Sequence, residues 1–471
     1  MEITEIKPLV LPGKNIPRES LNSIQLAAAS AVIDDKKSVL ITGPGGTGKS
    51  YLLNYIRQEI PWIHVTGSTG IAALNVGGVT IHSWSGIKIF RKGKTAEQVL
   101  SGMHHAQKSI LANAQVLAID EISMISADFL DLLDDVLRNV RSEEIFMDDI
   151  AEVTPFGGLQ VVFFGDFLQL PPVEKNKEPE FAFESEVWEQ LSPEIFEMKE
   201  CYRQEDQQFV DVLNMIRYGH QRQEVLDLLG SRFNITDSTP EEPPIKLFPT
   251  NKDCDFINSA ELQKLLSDGA VEKTYTANDR WTSEGEKMSP KYQPFFKKTV
   301  EKDCLAKENI QLAVGARVML LRNLDVSEGL VNGSMGTVED FRAVLPLDSM
   351  GETDFTAEPK TLPIVKFDNY PRPIPIQPVE WEFYKENKCV LIRKQVPLRL
   401  AWAITIHKSQ GMSLSKMEAN LDECFADGQV YVALSRARSV EGLFLVGRKT
   451  VINLQASEKA IEFYRSLENA V

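Results

Sequence analysis

The chain has little of what would mark a secreted, zinc-bound or membrane protein. Its five cysteines, Cys201, Cys254, Cys304, Cys389 and Cys424, are scattered through 471 residues and form no CxxC pair. That pattern points away from a zinc ribbon or a disulfide framework and toward a reducing compartment. The pair His104-His105 has no third or fourth ligand at suitable spacing, so it reads as a solvated loop rather than a metal site. The opening MEITEIKPLVLPG lacks the basic and apolar regions of a secretory signal and the Arg-rich character of a transit peptide. No apolar run approaches the roughly 18 residues of a membrane span, and a soluble, cytoplasmic protein is expected. Positive charge is also scarce: 51 Lys and Arg stand against 67 Asp and Glu, a net charge of −16. That balance argues against coating of duplex DNA by global electrostatics, and any nucleic-acid path is expected to be a local channel of mixed polarity.

What is present is enough apolar sequence for more than one core, because single cores stop growing near about 250 to 300 residues. Short runs recur, SVLITG, IHVTG, VLAIDE, LQVVFFGD, IKLFPT and LFLVG, with helical patterns between them. They read as a parallel sheet with crossover helices, built twice, an α/β architecture. Stretches of another character, GARVMLLRNLD, GSMGTVEDF and TLPIVKFDN, carry short strands with Gly, Asn and Pro punctuation. They suggest a small antiparallel β-barrel inserted into the second α/β domain. A smaller insertion, KIFRKGKTAEQVLSGMHHAQKSI at 88–110, interrupts the first sheet.

Gly43-Pro44-Gly45-Gly46-Thr47-Gly48-Lys49-Ser50 follows the strand SVLIT and precedes the helical run SYLLNYIRQEI, the context that a phosphate-binding loop requires. Glycines let successive N–H groups turn toward the phosphates, the helix N-terminus adds its dipole, Lys49 reaches the terminal phosphates and Ser50 ligates Mg²⁺. Asp120-Glu121 ends the strand QVLAI at the carboxyl edge of the sheet, where open α/β sheets place their ligands. Asp120 is expected to hold Mg²⁺ through water, and Glu121 to activate the attacking water. A further strand, LQVVFFGD, leads into FLQLPP, from which Gln169 is placed to touch the γ-phosphate or its water. ATP and Mg²⁺ are the cofactors this implies.

These residues alone specify a P-loop NTPase, and kinases and clamp-type ATPases share parts of the set. The strings VTGSTGIAALNVGGVTIHSW, PFGGLQVVFFGDFLQLPPV, LRLAWAITIHKSQGMSL and GQVYVALSRARSVEGL, in that order, resemble the petite-integration-frequency (PIF) helicase family of superfamily 1B. The resemblance runs from Leu21 to about Gly447 and includes DLLDDVLRNVR, similar to the family's signature stretch. It implies two RecA-like P-loop NTPase domains: 1–190, with a wedge insertion at about 86–112, and 191–307 joined to 396–471. It also implies that 308–395 is a Src-homology-like barrel. By the same resemblance Gln25 reads the adenine edge, while Arg203 and Arg436 act as arginine fingers and Gln410 joins the ATP site. A guanidinium offers two donors to developing phosphoryl charge.

The resemblance further implies a single-strand groove lined by Ser68, Thr69, Gly70, His82 and Ser83 from the first half. Thr405, His407, Lys408 and Ser409 would line it from the second. Hydroxyls, amides and imidazoles bind phosphates with little net charge, which suits an acidic chain. Phe167 and Trp84 neighbour these segments and are candidates for base stacking, and Asn332 in Val331-Asn332-Gly333 is expected to close over DNA. Arg91, Lys92 and Lys94 mark one end of the wedge. The activity implied is ATP-dependent 5′-to-3′ translocation on single-stranded DNA with unwinding of forked duplexes, by a chain that is monomeric when free. G-quadruplexes and RNA–DNA hybrids are further substrates of the family, with roles in repair, replication, recombination and telomere maintenance. Two other readings stand beside it, a nucleotide-gated remodelling ATPase that binds single strands and a RecD-like helicase subunit. The compact chain suggests a prokaryotic or phage source.

Overall fold

The computed structural model describes residues 16–87, 93, 95–144, 154–173, 178–235, 243–304, 306–325, 330, 333–345, 358–368, 370–385, 388–448 and 454–468. The chain divides into two compact units, one made of 1–251 with 404–471 and the other of 252–403. Among the described residues no helix is long and apolar enough to cross a membrane.

The first unit opens with a six-stranded sheet. Its strands are β1 (Val39–Thr42), β2 (His64–Gly67), β3 (Val79–Thr80), β4 (Val116–Asp120), β5 (Gln160–Gly165) and β6 (Glu194–Glu197), in the order β3-β2-β4-β5-β1-β6. Every pairing is parallel, as the apolar runs predict, because a sheet covered on both faces carries apolar residues at every position. Alternate residues supply the two cores: Leu40, Leu117, Ile119, Val161 and Phe163 face one. Val39, Ile41, Val116, Ala118, Val162 and Phe164 face the other. The strands β4, β5 and β1 are neighbours, so their carboxyl ends lie side by side, Thr42 in register with Gly165. That geometry brings three sequence-distant segments to one edge.

The same unit holds a second sheet, whose first strand is β7 (Ile245–Phe248). The described part of the 86–112 segment does not project from the first core but packs into it. Its helices Ala96–Ser101 and His105–Asn113 bury Val99, Leu100 and Leu111 against Phe129, Leu133 and Val136 of the helix Ala127–Glu144. Arg91, Lys92 and Lys94 lie outside the described residues.

The second unit is rich in short antiparallel strands: β8 (Glu272–Thr276), β9 (Asn278–Trp281), β10 (Asn309–Ala313), β11 (Arg317–Leu320), β12 (Met335–Val344), β13 (Lys360–Phe367), β14 (Ile374–Pro375), β15 (Val379–Lys385), β16 (Lys388–Gln395) and β17 (Leu398–Leu400). They form sheets ordered β14-β13-β12-β11-β17, β15-β16-β9 and β10-β8. The strands β8 and β9 precede residue 308 yet pair with β10 and β16, which is why this compact unit begins well before the expected insertion. Ile310, Val318, Val338, Val365, Phe367 and Leu398 form its core. The chain then returns through β18 (Ala403–Thr405), β19 (Met417–Asn420) and β20 (Leu443–Val446) to complete the second sheet, β18-β7-β19-β20, with β7, β19 and β20 parallel.

One ion cluster anchors the second unit. Arg393 is fully buried, donating to Asp279 at 2.8 and 2.9 Å and to Glu301 at 2.7 Å. Burial alone would raise the Asp279 carboxyl, but hydrogen bonds and charge from Arg393 hold it below its ordinary value. A carboxylate with a lowered folded pKa stabilises the fold above its unfolded value and loses that contribution as pH falls through the folded one. Arg393→Ala is expected to destabilise this unit by about 3 to 5 kcal/mol, the usual consequence of stranding a buried partner charge. Urea unfolding at pH 7 measures it, and the gap between variant and wild type should shrink below pH 4.

Candidate nucleotide and nucleic-acid site

The loop after β1 takes the conformation that its glycines allow. Gly43, Gly46 and Gly48 have φ of 137°, 87° and 85°, and Gly48 caps the helix Lys49–Glu59. Lys49 donates to the carbonyls of Gly43 and Pro44 at 2.6 and 2.8 Å. Burial lowers its pKa, opposed by the charges of Asp166 and Glu121. Thr47 closes the turn on the Pro44 carbonyl at 2.9 Å, and Ser50 is exposed on the first turn of the helix.

Asp120 and Glu121 leave the end of β4 beside this loop. Burial raises both pKa values; Glu121 raises Asp120 further, while Lys49, Arg436 and Gln410 oppose the rise in Glu121. Glu121 holds a left-handed backbone, φ 54°, a strained conformation for a residue with a side chain. Its Oε2 is buried without a hydrogen-bond partner, an atom that a water or ligand would satisfy.

Both expected arginines reach the loop. A Cβ built on Gly45 would lie 3.2 Å from Arg203 Nη1 and 3.2 Å from Arg436 Nη2. Arg203 donates to the Ser435 carbonyl at 3.0 Å; Arg436, 1% exposed, donates to the Val432 carbonyl and Ser435 Oγ, both at 2.8 Å. Burial lowers both pKa values, and Arg203 lowers that of Arg436 further. Guanidiniums stay charged in proteins, so two desolvated cations side by side create strong demand for an anion between them. Gln25 is buried at the start of the helix Ser23–Ile33. Its Oε1 accepts from Asn22 N–H at 3.0 Å in a capping box, leaving Nε2 directed at Gly48. Gln169 is buried, its amide 3.5 Å from Asp166 Oδ2.

Two tyrosines join this site that motif reading did not single out. Tyr202 is 55% exposed and lies against Gly48 and Gln25. Its N–H donates to Gly46 at 2.8 Å, and its hydroxyl is held between Asn22 and Glu200 at 3.0 and 2.7 Å. Its place beside Arg203 in CYRQ was the available signal. Tyr431 is buried and accepts the Gly45 N–H at 2.9 Å; nothing in VYVALSRAR distinguishes it from a core aromatic.

The expected DNA-contact residues fall into two clusters, at 68–83 and 405–409, linked where Gly411 approaches Asn75. Ser83 is exposed, and the space over Gly70 is open. Thr69 caps the helix Gly70–Asn75, and Ser68 Oγ is buried without a partner. His82 packs on Phe129 with ring centroids 4.5 Å apart, and burial lowers its pKa and that of His407. Lys408 Nζ donates to Asn251 at 2.9 Å. In the turn Ile406–Ser409 the Thr405 hydroxyl accepts from Lys408 N–H, and the Ser409 hydroxyl gives its proton to the Ile406 carbonyl.

Two stacking candidates are corrected. Phe167 is 1% exposed inside a cluster of Phe181, Phe183, Trp188 and Phe463, and Trp84 is 5% exposed in the same core. Neither ring offers a face to a base, because both anchor the sheet to its helices. Asn332 lies outside the described residues.

A family model described as PIF1-like helicase matches residues 18–226, and one described as DNA helicase Pif1, 2B domain, matches 296–341. The ATP-dependent DNA helicase PIF1 of Xenopus laevis is 34% identical, aligned over 99% of this chain and 67% of that protein. This chain belongs to the PIF1-like helicase family. The human ATP-dependent DNA helicase PIF1 is 35% identical, over 98% of this chain and 66% of its own length, so the chain spans about two thirds of these relatives. Among solved structures, Pif1 helicase from Candida albicans has 33% identity and a TM-score of 0.77, over 95% of this chain and 99% of that one. Pif1 from Bacteroides in complex with ADP-AlF3 and single-stranded DNA has 29% identity and a TM-score of 0.65, over 95% and 97%.

One substitution tests the loop directly. An alanine at Gly46 would place its Cβ 2.6 Å from Arg203 Cβ at a φ of 87°, a conformation that costs about 1 kcal/mol or more for any L side chain. Gly46→Ala is expected to weaken binding of a fluorescent ATP analogue at least about tenfold, since such strain and displacement amount to 1.4 kcal/mol or more. Unchanged affinity in an equilibrium titration would mean that the loop does not bind phosphates in this form.

Proposed function

We propose that the chain is an ATP-dependent DNA helicase that moves 5′ to 3′ on single-stranded DNA and opens forked duplexes. The observation that carries this reading is the meeting of Arg203 and Arg436 with the phosphate loop at Gly45. In this reading the arginines belong to the second RecA-like domain, 191–307 with 396–471, and the loop to the first, 1–190. In this reading ATP draws the halves together through an anion that both sides bind, and hydrolysis removes the bridge.

The roles follow the chemistry of each group. Lys49 and the loop N–H groups of Gly46, Thr47 and Gly48 hold the phosphates, in a turn that Gly43, Pro44 and Gly45 shape. Glu121 orients and deprotonates the water, Gln169 reports the γ-phosphate, and the two guanidiniums stabilise charge in the transition state. Ser50 and Asp120 fit Mg²⁺, a hydroxyl and a carboxylate at the loop edge beside the unpartnered Glu121 Oε2; the ion would neutralise charge on the bridging phosphates. Gln25 and Gln410 complete the nucleotide site, and the Tyr202 ring lies where an adenine leaving the loop near Gln25 would stack.

Single-stranded DNA is taken along the two clusters at 68–83 and 405–409. In this reading backbone N–H groups and the side chains of Ser83, Thr405, His407 and Lys408 are the phosphate ligands, the Ser409 hydroxyl having given its proton to the Ile406 carbonyl. The domain limits 1–190, 191–307 with 396–471, and 308–395, and a monomeric free state, belong to this proposal. Relatives come from vertebrates, fungi and Bacteroides alike, so they do not single out the expected prokaryotic or phage source. G-quadruplex and hybrid substrates rest on the family resemblance.

The test is strand separation with ATP and Mg²⁺ on partial duplexes bearing either a 5′ or a 3′ tail. Opening of the 5′-tailed substrate alone, lost in Lys49→Ala, is the expected result. ATP hydrolysis stimulated by DNA without strand separation would favour the remodelling ATPase instead. Arg436→Lys should still lower kcat about 10³-fold, since an ammonium cannot supply the planar fork. Tyr202→Ala should raise KM for ATP about tenfold with kcat little changed, because stacking acts on ground and transition states alike.

A further inference from the structure

Asp166 stands just beyond β5 with no exposed surface, and groups from distant parts of the chain close on its carboxylate. Arg217, at the end of the helix Gln207–Arg217, donates from Nε to Oδ2 at 2.9 Å and from Nη2 to Oδ1 at 2.7 Å. Tyr464, on the helix Glu458–Glu468, donates to Oδ1 at 3.0 Å, and the Leu168 N–H does so at 3.2 Å. The Gln169 amide lies 3.5 Å from Oδ2.

The hydroxyl of Tyr464 also meets Thr42 Oγ1 and accepts the Phe167 N–H at 3.3 Å. A phenol has one proton, and Asp166 takes it, so Thr42 has to donate. Thr42 is the last residue of β1, directly before the phosphate loop. The Tyr464 ring lies under the Arg217 guanidinium, 4.8 Å from its centroid. None of these groups touches the nucleotide loop beyond Thr42, yet each reaches a different part of the site. Thr42 leads into Gly43, Asp166 holds the turn that carries Gln169, and Arg217 ends the helix that follows Arg203.

We infer that Asp166, Arg217 and Tyr464 are positioning residues that lock the phosphate loop, Gln169 and the Arg203 segment into one arrangement, so that the γ-phosphate is read by both halves together. This rests on the ATPase reading above. A merely structural cluster would behave otherwise, because apolar replacement of a buried ion pair is often neutral for stability. Function then depends on direction and register rather than on burial. An additional feature favours the linkage: Asp166 is the leading charge that opposes the lowering of the Lys49 pKa by burial.

Tyr464→Phe keeps the ring under Arg217 and removes only the hydroxyl, and Arg217→Lys keeps a charge but not the paired donors. For both, thermal unfolding, equilibrium binding of a fluorescent ATP analogue, and kcat and KM with and without single-stranded DNA are measured on the full chain. The expected result is nucleotide affinity and KM within about twofold of wild type. The kcat with DNA should fall about tenfold, the effect of losing one well-placed hydrogen bond in the transition state alone. Wild-type kcat in both variants, or a loss of kcat matched by the loss of folded protein, overturns the inference. Should Tyr464→Phe fail to fold, Arg217→Lys decides by the same criterion. A wild-type chain that hydrolyses no ATP overturns the ATPase reading itself, and with it this inference, whereas an active wild type with active variants overturns the inference alone.

Discussion

Arg203 and Arg436 meet at Gly45 after both have lost most of their water, and the surrounding structure answers to that constraint. Like charges so close repel strongly at low dielectric, so the arrangement persists only if neighbouring groups compensate. Glu121 contributes favourable electrostatics to both, the Val432 carbonyl accepts the Arg436 Nε–H, and the Ser435 carbonyl accepts an Arg203 Nη1–H. Every one of these partners is borrowed from an element whose position the parallel sheets set. Glu121 follows β4, and Ser435 follows the helix Gln429–Leu434. The site is thus positioned by folding and left short of negative charge, which is the condition for binding a polyphosphate tightly.

Much of this was legible in the sequence, for identifiable reasons. The β1, β4 and β5 runs, VLI, VLAI and VVFF, are continuously apolar because both faces of the sheet are covered, and such runs are hard to mistake. The phosphate loop is legible because its glycines do what no other residue can, Gly46 sitting where a Cβ would strike Arg203. Phe167 and Trp84 stood as candidates for base stacking, although such rings are more often core, because adjacency in sequence to a segment expected to contact DNA says nothing about which side of the sheet a ring faces. Phe167 turned inward to meet Phe463, whose helix lies nearly 300 residues later, a contact that no local pattern encodes. The second unit's β8 and β9 were missed for the same reason, since EKTYT and NDRW acquire their strand character from β10 and β16.

Part of the positive charge of this acidic chain is tied up in ion pairs inside the fold. Arg393 and Arg317 are tied to Asp279 and Asp368 in the second unit, and Arg217 is tied to Asp166 in the first. None of them is available to attract a phosphate backbone from a distance. In the reading proposed above, DNA affinity depends on short-range contacts from backbone amides and a few polar side chains, which are less salt-dependent than a lysine-lined groove.

The ion pair of Arg217 with Asp166 shows why a buried charge is retained where an apolar pair would pack as well. Burial alone would raise the Asp166 carboxyl, yet Arg217 holds it ionised and below its ordinary value. A carboxylate so fixed accepts hydrogen bonds from Leu168, Tyr464 and Arg217 only along particular directions. Leucine or methionine at these positions would fill the same volume and permit several rotamers. Direction is what the proposed site needs here, since in that reading Gln169, three residues beyond Asp166, points at one atom of a bound phosphate. A helix end, a strand end and the C-terminal helix that agree on the orientation of one carboxylate also agree on the position of the loop that Thr42 begins. That agreement is a mechanical linkage made of hydrogen bonds, and it exists only while all three elements are in place.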